Sequence, residues 1–221
     1  MTPVRARSAS RSALALLHGP RQAGRHLGAG YVQFGDYVLA LTRPGGPRMP
    51  NGIECDVRLP PRDAGAWIGE GRLGAGIGEG RLQARIGEGR LEIGGQVVLP
   101  GPLWEARPTP RVALAACPRF VPDPLRLAGA GEGLTPAGDD LLAGYAAGLV
   151  LWHGREEEAR AIADAAAPRT TLLSATLLRH AARGELPEPA HTLLETGDAA
   201  PLRAFGHSSG RALMAGLALA C

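Results

Sequence analysis

Strand-and-turn texture in the first half and helical texture in the second predict an α+β chain for this 221-residue sequence. From Tyr31 to about Trp104, short apolar runs such as "YVQFGDYVLAL" and "QVVLP" alternate with Gly/Pro/Asn punctuation, including "RPGGPRMPNG", the signature of short strands joined by tight turns. From Pro124 onward Ala and Leu recur at helical spacing, with stops at Gly154, Pro168, Gly184, Gly197 and Gly206. The two textures follow one another without alternating, which argues against a doubly wound nucleotide fold. The expected organisation is one domain in two lobes. Residues 1–110 form a β-rich lobe whose strands and turns can close toward a barrel, and residues 111–221 form an Ala/Gly-rich helical lobe.

Composition narrows the functional classes. The hydrophobic fraction is 45% but only 4% of residues are aromatic, so the core is filled mostly by small side chains. A formal charge of +3 and a pI near 9.1 come from arginines scattered between acids. No basic stripe with interleaved aromatics marks a nucleic-acid surface. Cys55, Cys117 and Cys221 are odd in number and lack metal or redox spacing, which argues against a disulfide framework and points to a reducing, cytoplasmic setting. At the start, Arg5, Arg7 and Arg11 precede the apolar run Ala13 to Leu17. That run is too short for a secretory core and is stopped by His18, Gly19, Pro20 and Arg21. No stretch has the length of a membrane span.

Within the β half, "IGEGRL" occurs at Ile68, Ile77 and Ile86, each copy nine residues after the last, so that the tandem repeat occupies about 68–94. Nothing before or after shares this period. Removing 18 residues leaves "AWIGEGRLEIGGQVVLP", a strand, a turn and a strand. The repeat therefore reads as a local duplication that lengthens a hairpin or surface loop and projects at the edge of the body, because loops accept added length at small entropic cost.

The helical half opens on "GEGLTPAGDDLLAG", Gly131 to Gly144. Thr135 followed by Pro136 is a helix start, with the Thr hydroxyl able to cap and Pro suited to the first turn. Asp139 and Asp140 then fall where negative charge suits the helix dipole. Capping leaves Gly129, Gly131, Gly133 and Gly138 unexplained. Bare backbone at a helix start admits an anion, since free N–H groups point outward there. The two carboxylates would repel that anion unless they hold a cation, and Mg²⁺ bridging them to phosphate is the cofactor this arrangement would accommodate. Further along the same helix Gly144 and Gly148 share a face that lets another helix come close.

Near the C-terminus "GHSSGRALMAG" repeats the second half of that motif, with Gly210 and Gly216 in matching places. Two such helices are expected to be neighbours, with their N-termini on one cleft, bringing His207, Ser208 and Ser209 near Thr135, Asp139 and Asp140. His207 supplies an imidazole, a side chain type suited to proton transfer, and no acid or nucleophile at informative spacing makes a Ser/His triad. A third cluster, "RTTLLSATLLRHAARGELPE" from Arg169 to Glu188, places Thr171, Ser174 and Leu178 on one helical face. Its hydroxyls either bond back to their own helix or, with Arg169 and Thr170, face an anion.

"GEGLTPAGDDLLAG", "TTLLSATLLRHAARGE" and "GHSSGRALMAG", in this order after a β-rich half and together with "ARSASRSALALL" and "MPNGI", resemble the family of the third, AllH-type subunit of oxamate carbamoyltransferase. The resemblance implies one subunit of a hetero-oligomeric enzyme of anaerobic allantoin breakdown. That enzyme transfers a carbamoyl group between oxalurate and phosphate to give oxamate and carbamoyl phosphate. The residues expected to serve it are Asp139, Asp140 and His207 in catalysis, with Gly131, Gly133, Thr135, Gly138, Thr170, Thr171, Ser174, Ser208, Ser209 and Gly210 around a small anionic substrate. The chain departs from the family pattern where Ala212 stands in place of an acid, and it ends at Cys221, where relatives tend to continue. Three classes of function stay open at this point: a carbamoyltransferase subunit, a small-molecule binding or regulatory protein, and a scaffold whose Gly/Ala helices dock other subunits.

Overall fold

The computed structural model describes residues 3–28, 30–57, 83–115 and 120–221. It divides into two compact units, residues 1–105 and 106–221. Cys117 and the first two "IGEGRL" copies lie outside the described residues.

Among its described residues the first unit is a curled sheet of ten strands with one helix. In chain order these are β1 (Val4–Arg5), β2 (Ser8–Ser10), α1 (Arg11–His18), β3 (Gln22–Gly28), β4 (Tyr31–Phe34), β5 (Tyr37–Thr42), β6 (Gly52–Glu54), β7 (Gln83–Gly87), β8 (Arg90–Ile93), β9 (Gln96–Leu99) and β10 (Leu103–Trp104). Lateral order runs β1-β9-β8-β7-β3-β4-β5-β6-β2-β10. β1 and β2 are successive parts of one extended stretch, and so are β9 and β10. They pair in parallel at both places, Val4 with Val98 and Ala9 with Leu103, while Ala9 also pairs with Ile53 of β6. The two ends of this lateral order are thus the same pair of segments, so the wall curls back on itself and leaves little free edge.

Alternation fills the inside of this wall. Val32, Phe34, Leu39, Ile53, Ile86, Leu91, Ile93 and Val98 point inward with Ala13 and Leu17 of α1. α1 is started by Ser10, whose side chain accepts from the Ala13 N–H, and its apolar face completes the same core. At Gly24 a Cβ would stand 2.2 Å from the Phe34 ring, so β3 carries glycine where the largest inward side chain needs room. The sequence pattern starts the β region at Tyr31. The structure starts it at Val4, because "VRARSAS" and "QAGRHLG" become strands through pairing with neighbours rather than through their own apolar alternation.

The third "IGEGRL" copy is the β7–β8 hairpin. Gly87 pairs with Arg90, leaving Glu88 and Gly89 as a two-residue turn with φ 53° and 80°, the left-handed pair that matches strand twist. Ile86 and Leu91 pair across the hairpin and are fully covered. This copy is built into the sheet between β9 and β3, and does not project from its edge.

The second unit contains α2 (Pro124–Leu127), α3 (Ala137–His153), α4 (Glu156–Ala166), α5 (Leu172–Ala181), α6 (Glu188–Thr196), α7 (Ala200–Arg203) and α8 (Ser209–Ala220), with a 3-10 turn over Ala167–Arg169. The punctuating glycines act as the sequence indicates: Gly154 and Gly197 end α3 and α6 in the left-handed conformation. Leu142, Ala146, Leu149, Ile162, Leu178, Leu186, Leu194, Leu202, Leu213 and Leu217 form the centre of the core.

α3 and α8 run parallel in reciprocal contact. A Cβ at Gly144 would lie 2.1 Å from the Leu213 carbonyl oxygen, and one at Gly216 would lie 2.0 Å from that of Leu141. The same added Cβ atoms would stand 2.9 and 2.7 Å from the backbone nitrogens of Leu217 and Tyr145. Each glycine meets, on the other helix, the residues that match its own neighbours, so the pair has local two-fold character. The small faces that sequence reading offered as docking surfaces for other subunits are consumed within the chain. No described helix is long and apolar enough to cross a membrane.

Candidate functional site

The parallel packing brings two helix N-termini to one end of the second unit, and a third joins them. Thr135 Oγ1 lies 3.1 Å from Ser209 Oγ, which ties the approach to α3 to the first residue of α8. Thr171 caps α5 by accepting from the Ser174 N–H at 3.1 Å and donates to the Leu134 carbonyl at 2.7 Å. The starts of α3, α5 and α8 therefore converge on the loop 129–135, each contributing the positive end of its dipole.

Asp139 acts as a clasp in this arrangement. Its Oδ1 accepts from the Gly129 N–H at 2.8 Å and its Oδ2 accepts from the Thr170 hydroxyl. The side chain is almost wholly buried, so both bonds to the carboxylate are shielded from solvent. Asp140 is different. It is 9% exposed, its Oδ2 is buried without a hydrogen-bond partner, and its other contact is with Ser209. Burial pushes its carboxyl up to about 7, opposed by the hydrogen bond from Ser209 and assisted by the charge of Asp139. The Asp140 carboxyl, which burial makes reluctant to ionise, the Ser209 hydroxyl and the Thr135 hydroxyl thus form a chain of groups able to bear a proton, leading out to the exposed loop. Ser174 Oγ is a second buried oxygen with no partner.

These two carboxylates do not fit a resident Mg²⁺. Both oxygens of Asp139 are occupied by protein donors, and burial favours the protonated form of Asp140. No group of three or more metal-ligating side chains occurs among the described residues.

The glycines separate into two kinds. Gly138 and Gly210 are the second residues of α3 and α8, and a Cβ there would collide with the carbonyl oxygens of Leu127 at 2.1 Å and Leu202 at 1.7 Å. Their N–H groups bond the carbonyls of Ala130 and Phe205. They are close-packing positions, where the absence of a side chain is required by the neighbouring backbone. The N–H groups of Asp139 and Asp140 are likewise turned to the Pro136 carbonyl, so the helix start itself offers little bare backbone. Gly131 and Gly133 are exposed in the loop, with φ 123° and 91°. A Cβ on Gly133 would meet nothing within 4 Å. The amides of residues 131–135 make no bond to the protein among the described residues, and they are the open donors of the site.

Thr135 is not the cap of α3. The helix begins one residue later, with Pro136 at the cap position and no side-chain cap, because the Thr135 hydroxyl is engaged by Ser209. His207 and Ser208 are exposed ahead of α8. Arg169 is exposed beside Thr170, whose hydroxyl meets a carboxylate of the protein itself. Sequence reading missed His180, buried within the motif that follows Thr171, with Nδ1 2.6 Å from Glu185 Oε2. The five-residue separation of the two gave no helical-face signal, because Glu185 lies beyond the end of α5. By the offset of the helix pair, Ala212 on α8 corresponds to Asp140 on α3, so these two matched positions carry one acid where an acid at both would set two against each other.

The family model described as oxamate carbamoyltransferase subunit AllH matches residues 127–221. The match covers the converging helix starts and the whole of the α3–α8 pair. No curated protein and no solved structure matches the chain significantly.

Proposed function

We propose, from the match of residues 127–221 to the AllH family model, that the chain serves a carbamoyltransferase-type complex acting on oxalurate and phosphate, or oxamate and carbamoyl phosphate, and that its own helical unit holds the anion. The observation that carries this reading is the convergence of three helix N-termini on a glycine-hinged loop with open amides. Such a place favours a phosphate or carboxylate without requiring a basic side chain. Other subunits of the complex are the partners this family implies.

The chemistry the reading assigns to these residues is electrostatic and protonic. A phosphate oxygen attacks the carbamoyl carbon of oxalurate, the C–N bond to the oxamate nitrogen breaks, and that nitrogen must take up a proton. The amides of residues 131–135 stabilise the anionic reactant. The proton held by Asp140 passes outward through Ser209 and Thr135 to that nitrogen, the attacking hydrogen phosphate gives up its own proton to solvent, and the carboxylate left behind regains one from solvent, so that protons balance. Asp139, through Gly129 and Thr170, fixes the loop, and His207 stands at its exposed rim.

Calorimetric titration of the full chain with inorganic phosphate tests the site. Gly133→Val places a side chain in open space but demands a backbone conformation that valine rarely adopts. It should therefore abolish phosphate binding while the protein stays folded. Ser209→Ala should weaken binding. Equal affinity in parent and both variants would place the anion elsewhere.

A further inference from the structure

The outer face of the curled sheet in the first unit carries a feature outside the helical site. A groove of about 470 Å³ is lined by Ala23, Gly24, Arg25, Gln33, Gly35, Gln83, Ala84 and Arg85. The strand register explains the lining. Arg25 pairs with Gln33 on one side and Gln83 on the other, and Ala23 pairs with Arg85, so two guanidiniums and two carboxamides stand on one face of three adjacent strands. Small residues form the floor between them.

Arg25 is positioned in advance. Gln33 Nε2 donates to the Gly35 carbonyl at 2.9 Å, which turns Gln33 Oε1 to accept from Arg25 Nη2 at 2.7 Å. Arg85 lies opposite Glu92 in the register, yet that carboxylate is already bracketed by Arg21 at 3.1 Å and Arg90 at 2.7 Å. Among the described residues neither Arg25 nor Arg85 has a carboxylate partner, and no acid lines the groove. A groove with two uncompensated guanidinium forks and amide donors between them suits a small planar acid, because a guanidinium binds a carboxylate through two parallel N–H bonds.

We propose that this groove binds a small free carboxylate, held by Arg25 and Arg85 and flanked by Gln33 and Gln83. The site is independent of the helical one. The test uses the full chain labelled with ¹⁵N-arginine, following the Nε–Hε resonances during titration with oxalate at low ionic strength; Arg25→Lys and Arg85→Gln assign the two signals. The expected result is that both resonances move together and saturate. Arg85→Gln should raise the midpoint at least tenfold. Arg25→Lys should do the same, since it keeps the charge and loses the fork, and Asp140→Asn should leave the midpoint unchanged. Shifts spread over many arginines without saturation would overturn the proposal, as would unaltered midpoints in both variants. So would shifts produced by tetraglutamate but not by oxalate, which would assign the groove to an acidic protein segment instead.

Discussion

Replacing Asp140 by asparagine isolates the consequence of burying a carboxyl without a full set of partners. The carboxyl sits at 3.8 in an unperturbed setting and at about 7 in the folded chain, chiefly through burial. The unfolded chain therefore releases this proton first as pH rises. Full stability from this group is present below the unfolded value, declines through the interval between the two values, and reaches its lowest level above the folded one. Integrating that difference gives a penalty of about 2 kcal/mol at pH 5 and about 4 kcal/mol at pH 8. Asparagine cannot ionise and keeps an oxygen for Ser209. The variant and parent should thus have similar stability near pH 3.5, and the variant should gain progressively until it is more stable by about 4 kcal/mol at pH 8. Urea unfolding followed by the helical circular dichroism signal, repeated across this pH range, measures the gap directly. Parallel curves, with a gap that does not change between pH 4 and 8, would show that Asp140 ionises normally and would remove it as a proton source.

Three further outcomes follow from the helical unit. Asp139→Ala leaves the Gly129 N–H and the Thr170 hydroxyl without their shared acceptor; it should cost about 3 kcal/mol in urea unfolding, while Mg²⁺ leaves the melting temperature of the parent unchanged. Gly144→Ala and Gly216→Ala each drive a methyl group into a backbone carbonyl of the facing helix and should cost about 3 kcal/mol apiece. Because both force apart the same pair, the double variant should lose less than the sum, which a double-mutant cycle reads.

How legible the chain was depended on where each structural cause lies. The helical half announced itself through spacing and through the αL glycines Gly154 and Gly197, whose effect is local. Its central pairing was legible too, since the two glycine motifs match at a constant offset and small residues fix close approach. The strands Val4–Arg5, Ser8–Ser10 and Gln22–Gly28 were not, because their extended form comes from partners far along the chain. Within the site, adjacent Asp139 and Asp140 looked equivalent. Tertiary contacts separate them, giving one two protein donors and leaving the other with a bare buried oxygen. Gly138 and Gly210 read as ligand-facing for a similar reason. Nothing local reveals that the carbonyls of Leu127 and Leu202 occupy the space beside them.

The central claim is that the three converging helix starts serve phosphate-dependent carbamoyl transfer, and turnover of the complex co-purified with this chain tests it most directly. Carbamoyl phosphate formation from oxalurate and phosphate should be measured for the parent and for Ser209→Ala, which interrupts the path from Asp140 to Thr135 without touching the α3–α8 packing. The account predicts turnover in the parent complex, and in the variant a fall of about 100-fold, the scale of one general acid–base contribution, with a raised KM for phosphate. Unchanged turnover and phosphate KM in the variant, or a parent complex that forms no carbamoyl phosphate, would contradict it.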